Sequence, residues 1–223
     1  MNLHILIIQV GTGIIVITFL VALLFRKKEK PGYFKYIFLF VLCGLCLSLN
    51  TFYSNYYAWL ANFKIGILIE EILLTIQSIF LGLFYFSLLR NSGFGFNIRL
   101  AIIISAILQL SVIAFVHIAK IEIRQNILAS STTLILSLFY FKDLMSNKPT
   151  VILKWSPSFW MVMGSFFSSC ITIPILSLIP FLPKESEYSD IRNLLFAFNN
   201  ISFATQYLLI IKSYLCLRHQ QNF

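Results

Sequence analysis

The chain has 223 residues, of which 59% are hydrophobic and only 11% charged, with a net charge of +9. A soluble domain carries roughly 45–50% apolar and about 25% charged residues, so this composition excludes an ordinary soluble enzyme and identifies an integral membrane protein. Nearly all of the length is taken up by seven apolar stretches, which leaves nothing for a separate catalytic domain.

In chain order the stretches run over 5–25, 36–53, 65–89, 100–117, 123–141, 159–182 and 191–215. Each meets or nearly meets the roughly 17–25 residues that an α-helix needs to cross a bilayer. Backbone polar groups must be paired within lipid, and the strands of a β-barrel would read as alternating segments of about ten residues. The expected architecture is therefore all-α: one domain, a seven-transmembrane-helix bundle. No basic residue precedes the first stretch and Arg26, Lys27, Lys28 and Lys30 follow it, the reverse of a cleavable signal peptide, so it is expected to remain as a span.

Short basic loops stay on the cytoplasmic side. With the amino terminus outside, twelve of the 17 Lys and Arg residues fall inside: the four just named with Lys35, Arg90, Arg99, Lys142, Lys148, Lys154, Lys212 and Arg218. Lys64, Lys120, Arg124, Lys184 and Arg192 remain outside, with most of the acidic residues. The predicted topology is amino terminus outside and carboxyl terminus cytoplasmic. The positive charge reads as a collar for anionic lipid, and nucleic acid is not an expected partner.

The second stretch contains Cys43 and Cys46 at C-x-x-C spacing. Without a second pair or a βα context they read as small buried residues. Phe52, Tyr53, Tyr56, Tyr57, Trp59 and Phe63 follow, which suits an aromatic belt at the membrane surface.

The third stretch carries the first candidate site. Glu70 and Glu71 stand about one turn inside its outer end, where an ionisable group is costly and faces a cavity or a partner. Helical spacing puts Glu71, Thr75 and Ser78 on one face and Glu70 with Gln77 on the next, a polar stripe descending from the outer surface. Pairing of the glutamates with Lys64, Lys120, Arg124 or headgroups is the plain alternative. Below the stripe, 79–89 offers only Ser87 and Tyr85 as polar residues.

In the fourth stretch His117 lies at the outer end, an ordinary interfacial position. Ser130 to Thr133 in the fifth, and Gly164, Ser165, Ser168, Ser169 and Thr172 in the sixth, read as small residues for close helix approach. Before the sixth stretch, Ser156 is a candidate helix cap with Pro157 at the first helical position. Pro174 is expected to kink the helix and widen a central cavity. In the seventh, Asn199, Ser202 and Gln206 share one face and Asn200 adjoins it; at that depth their amides must bond across helices. Asn200-Ile201-Ser202 spells a glycosylation acceptor at a depth where no modification can occur.

Catalytic signatures are absent: no G-x-S-x-G, no phosphate loop, only three histidines, and Lys212 near the inner end of its span, away from where a Schiff-base lysine would sit. No enzyme activity, metal or cofactor is expected. The run Pro157-Ser158-Phe159-Trp160-Met161-Val162-Met163-Gly164, followed by a final helix with Asn199, Asn200 and Ile201, resembles the multi-helix membrane modules of bacteria that serve as input regions of sensor histidine kinases or exist as free-standing copies. The resemblance implies a signalling role in a bacterial inner membrane, with output through a separate kinase or other membrane protein. The expected function is a sensory or accessory protein that perceives a small ligand or a membrane state from the outer side through Glu70, Glu71, Thr75, Gln77, Ser78, Asn199, Asn200 and Gln206. The alternative is a small transporter or channel using the same polar residues as a passage.

Overall fold

A computed structural model of the chain describes residues 3–25, 32–56, 63–90, 95–119, 125–146, 153–183 and 188–220. These residues hold seven α-helices, α1 (Leu3–Leu24), α2 (Phe34–Tyr56), α3 (Phe63–Leu89), α4 (Gly95–Ala119), α5 (Gln125–Ser146), α6 (Pro157–Leu178) and α7 (Ser189–Gln220), with short 3-10 turns at Leu153–Trp155 and Ile179–Phe181. Five of them, α3 to α7, are long and apolar enough to cross a membrane; α1 and α2 carry shorter apolar stretches, Gln9–Leu24 and Phe34–Asn50. The chain is a membrane-embedded, multi-pass helical protein. Several helices overrun their apolar stretches, as α5 does through Lys142, Asp143 and Ser146, because the backbone ladder continues wherever residues tolerate helix, whatever their polarity.

Helix directions follow from the residues that meet. Thr172 of α6 bonds Asn199 of α7, Ser165 bonds Gln206 and Pro157 bonds Ser213, so numbers fall along α6 as they rise along α7. The same logic sets α3 antiparallel to α4, through Ser78 with Gln109 and Phe86 with Arg99. It sets α3 parallel to α5, through Thr75 with Gln125 and Tyr85 with Ser137. Thr18 of α1 and Phe25 just after it meet Tyr207 and Tyr214 respectively, which makes α1 parallel to α7.

Six helices close a ring in the order α1, α2, α3, α5, α6, α7 and back to α1, while α4 packs outside it against α3 and α5. The α3–α5 and α7–α1 contacts are the two in this ring that do not join sequence neighbours.

Packing differs between the two halves of the bundle. In the half where Lys35, Arg99, Lys154 and Lys212 lie, the ring is filled by Phe34, Ile37, Phe84, Tyr85, Met161, Ile210 and Tyr214, all essentially inaccessible. Their rings interlock: Phe34 meets Tyr214 edge-on at 5.2 Å, Phe84 meets Tyr85 at 5.2 Å, and Tyr33 meets Phe84 at 5.7 Å. Aromatic pairs in such geometry add roughly 0.5–1.5 kcal/mol each beyond their burial. At this end cations lie over rings, Arg99 over Phe86 at 4.6 Å and Lys35 over Tyr36 at 4.8 Å, and Trp160 Nε1 donates to the Lys154 carbonyl at 2.9 Å. Pro157 opens α6 with Ser156 in the cap position, as its sequence suggested, although the Ser156 hydroxyl bonds Ser158 Oγ at 3.0 Å instead of capping a backbone N–H.

Candidate functional site: a walled cavity with an aromatic floor

Lipid supplies no hydrophobic drive between helices, so small residues and interhelical hydrogen bonds must hold the wall together. On α6 the small stripe does this. A Cβ added to Gly164 would lie 3.2 Å from the Gln206 carbonyl oxygen, so α6 and α7 are close enough for their polar side chains to meet. Thr172 Oγ1 donates to Asn199 Oδ1 at 2.9 Å, and Gln206 Nε2 donates to Ser165 Oγ at 3.2 Å. Asn199 and Gln206 thus serve as cross-helix bonds.

The ring encloses a cavity of about 380 Å³ in the half remote from the aromatic packing. All six ring helices line it and α4 does not. Of the residues singled out from the sequence, Glu70, Gln77, Ser78, Asn199, Asn200 and Gln206 line it together. Glu71 and Thr75 do not. They lie on the α5 side of α3, where Gln125 Nε2 donates to the Glu71 carbonyl at 3.1 Å and also to Thr75 Oγ1. Ser78 reaches both environments, since it also accepts from Gln109 Nε2 at 2.9 Å. The stripe read from α3 therefore divides between a cavity face and a helix–helix seam. Lys64, Lys120 and Arg124, the partners considered for the glutamates, lie outside the described residues or side chains, as do the His117 side chain and the aromatic run after Asn50.

Glu70 is the single charged residue among the described lining residues and sits at the end remote from the aromatic floor. Seven residues deeper, about 10 Å along the axis at 1.5 Å per residue, comes Gln77. Its Nε2 donates to Tyr207 Oη at 3.0 Å and lies 3.4 Å from the Phe40 carbonyl. Tyr207 is held where it is by Gly44, whose missing Cβ would overlap the Tyr207 hydroxyl. The Phe40 ring stacks on the Tyr207 ring at 6.0 Å. Beneath this pair the aromatic packing begins, so Tyr207, Gln77 and Phe40 form the floor.

On α6 the cavity is lined by Ser168, Ser169 and Leu176, and Pro174 is exposed, turned away from it. The proline that suggested a widened cavity therefore does not line one.

Asn126, Tyr207, Gln109 and Gln125 carry or support the site without having been singled out. Gln109 was detectable: it is a lone amide in the middle of an apolar helix, fully buried, bonded to Ser78 and Ser105 at 2.9 Å each. Tyr207 carried no such signal, because a tyrosine in a membrane helix is commonplace. The C-x-x-C pair consists of free thiols, Cys43 buried and Cys46 exposed, and among the described residues no three His, Cys, Asp or Glu side chains gather as metal ligands would. No family model matches the chain, and no curated protein or solved structure matches it.

Proposed function

We propose that the protein is a seven-helix membrane receptor or accessory module that takes a small molecule into its central cavity from the outer face and reports occupancy through a partner at its basic, cytoplasmic face. The observation that carries this reading is the asymmetry of the bundle: a hollow of about 380 Å³ above Tyr207, and interlocked aromatic rings below it. A volume of this size suits a small ligand enclosed by apolar walls with a few convergent polar groups. A transporter would need a polar route past Phe34, Phe84, Tyr85 and Tyr214, and these side chains are buried against one another. Gathering of cations over aromatic rings at the floor end accords with the positive-inside placement of that end.

The test is accessibility from each side. With the four native cysteines replaced by alanine, Ser130→Cys on the cavity wall should react with a membrane-impermeant maleimide applied outside. Ile210→Cys in the aromatic packing should react from neither side. Labelling of Ser130→Cys only from the cytoplasmic side would reverse the proposed orientation, and labelling of both positions from both sides would favour the channel.

A further inference from the structure

We infer that the deep end of the cavity recognises an uncharged molecule through an acceptor oxygen, a carbonyl or hydroxyl that takes the O–H of Tyr207. This deepens the pocket reading above and rests on it.

The argument begins with the Gln77 amide. Its Nε2 faces both Tyr207 Oη, at 3.0 Å, and the Phe40 carbonyl, at 3.4 Å. A backbone carbonyl can only accept, so the atom facing it must be the amide nitrogen, and this fixes the orientation of the side chain. In the bond between Gln77 and Tyr207 the phenol is consequently the acceptor. Its own hydrogen is unspent, and no described residue takes it. Tyr207 is 4% exposed and lines the cavity, so a molecule held in the cavity can supply the acceptor for that O–H. No described residue donates to Gln77 Oε1 either. The floor therefore presents a donor and an acceptor side by side, in the pattern that an amide carrying an N–H or an alcohol would complete.

Charge selects further. Glu70 is about 10 Å from Gln77 along α3, and the lining groups near the floor are the neutral amides and hydroxyls of Gln77, Tyr207, Gln206 and Thr133. A charged group brought there would lose its hydration with no counter-charge to replace it. Leu74, Leu81, Phe40 and Phe203 supply apolar walls for the body of the molecule. Gly44 leaves room for the phenol at this position, since a side chain there would overlap its hydroxyl.

The experiment uses the full chain in lipid nanodiscs, with native cysteines replaced by alanine and Ser130→Cys as reporter, and measures maleimide labelling rates with N-benzylacetamide, benzylammonium or phenylacetate present. N-benzylacetamide should slow labelling while the two charged analogues do not. Adding Tyr207→Phe, which keeps the ring on Phe40, should weaken that protection about tenfold, the effect of one lost hydrogen bond at the strong end of the usual range. Gly44→Ala, which displaces the hydroxyl without removing it, should do the same. Equal protection in Tyr207→Phe, or protection by either charged analogue, overturns the inference and leaves the pocket reading standing, as does efficient labelling that N-benzylacetamide fails to slow. Absence of any Ser130→Cys labelling without a probe overturns the pocket reading, and the inference with it.

Discussion

Glycine at position 44 is required by its neighbours, whereas glycine at position 13 is not. A Cβ at Gly44 would overlap Tyr207 and come within 3.1 Å of Gln77 Nε2; a Cβ at Gly13 would meet nothing within 4 Å. Gly44→Ala is therefore expected to destabilise the protein by about 1–3 kcal/mol, the usual cost of overfilling a packed site, because the phenol must move and Gln77 loses a partner. Gly13→Ala should change stability by less than about 0.5 kcal/mol, as exposed substitutions usually do. Thermal unfolding of the purified variants in detergent checks both, and equal effects would show that the contact at Gly44 relaxes without cost.

Among the elements, α6 and α7 hold together through residues that a soluble protein would leave on its surface. Thr172 and Asn199 are buried with each other, and removing either takes away the partner's hydrogen bond across the two helices. A double-mutant cycle with Thr172→Val and Asn199→Ala should return a coupling energy of about 0.6 kcal/mol, up to roughly 1.7, in line with interhelical bonds elsewhere in membranes. A coupling indistinguishable from zero would mean that Asn199 is kept for the cavity alone. That Asn199 needs a partner on another helix was legible in the sequence, because Asn199, Ser202 and Gln206 share one face of an apolar helix; that Thr172, read only as a small packing residue, supplies it was not. The polar stripe of α3 was legible for the same reason. What periodicity could not give was its division: Glu71 and Thr75 turn toward Gln125, because α3 packs directly on α5 across the intervening α4, and a contact between non-sequential helices leaves no local mark. Gln77 was visible as part of a stripe, but its partners Phe40 and Tyr207 come from two other helices and acquire their meaning only in the closed ring.

For the whole molecule, the two halves of the bundle have opposite characters, one hollow and amide-lined, the other solid with aromatic rings and rimmed by Lys and Arg. The proposed orientation places the solid half at the cytoplasmic face. A green fluorescent protein fused after Phe223 should then fluoresce in cells, and alkaline phosphatase at the same junction should be inactive. The opposite pair of results would invert the topology and put the hollow half inside. The fold class followed from composition and from the lengths of the apolar stretches; the hollow did not, since a filled bundle and a ring of six helices with one outside can share the same pattern of apolar residues.

The ring is closed by α1 lying against α7, the first described helix against the last, through Thr18 beside Tyr207 and Phe25 beside Tyr214. Chains leave the ribosome from their amino end, and early segments fold before late ones exist. Until α7 arrives, α1 has one flank without its protein neighbour, and neither the floor tyrosine nor the amides of Asn199, Asn200 and Gln206 are in place. On the proposed reading, the cavity is completed only once α7 has been made, and a nascent chain stalled before Ser189 would lack both its floor and its amides.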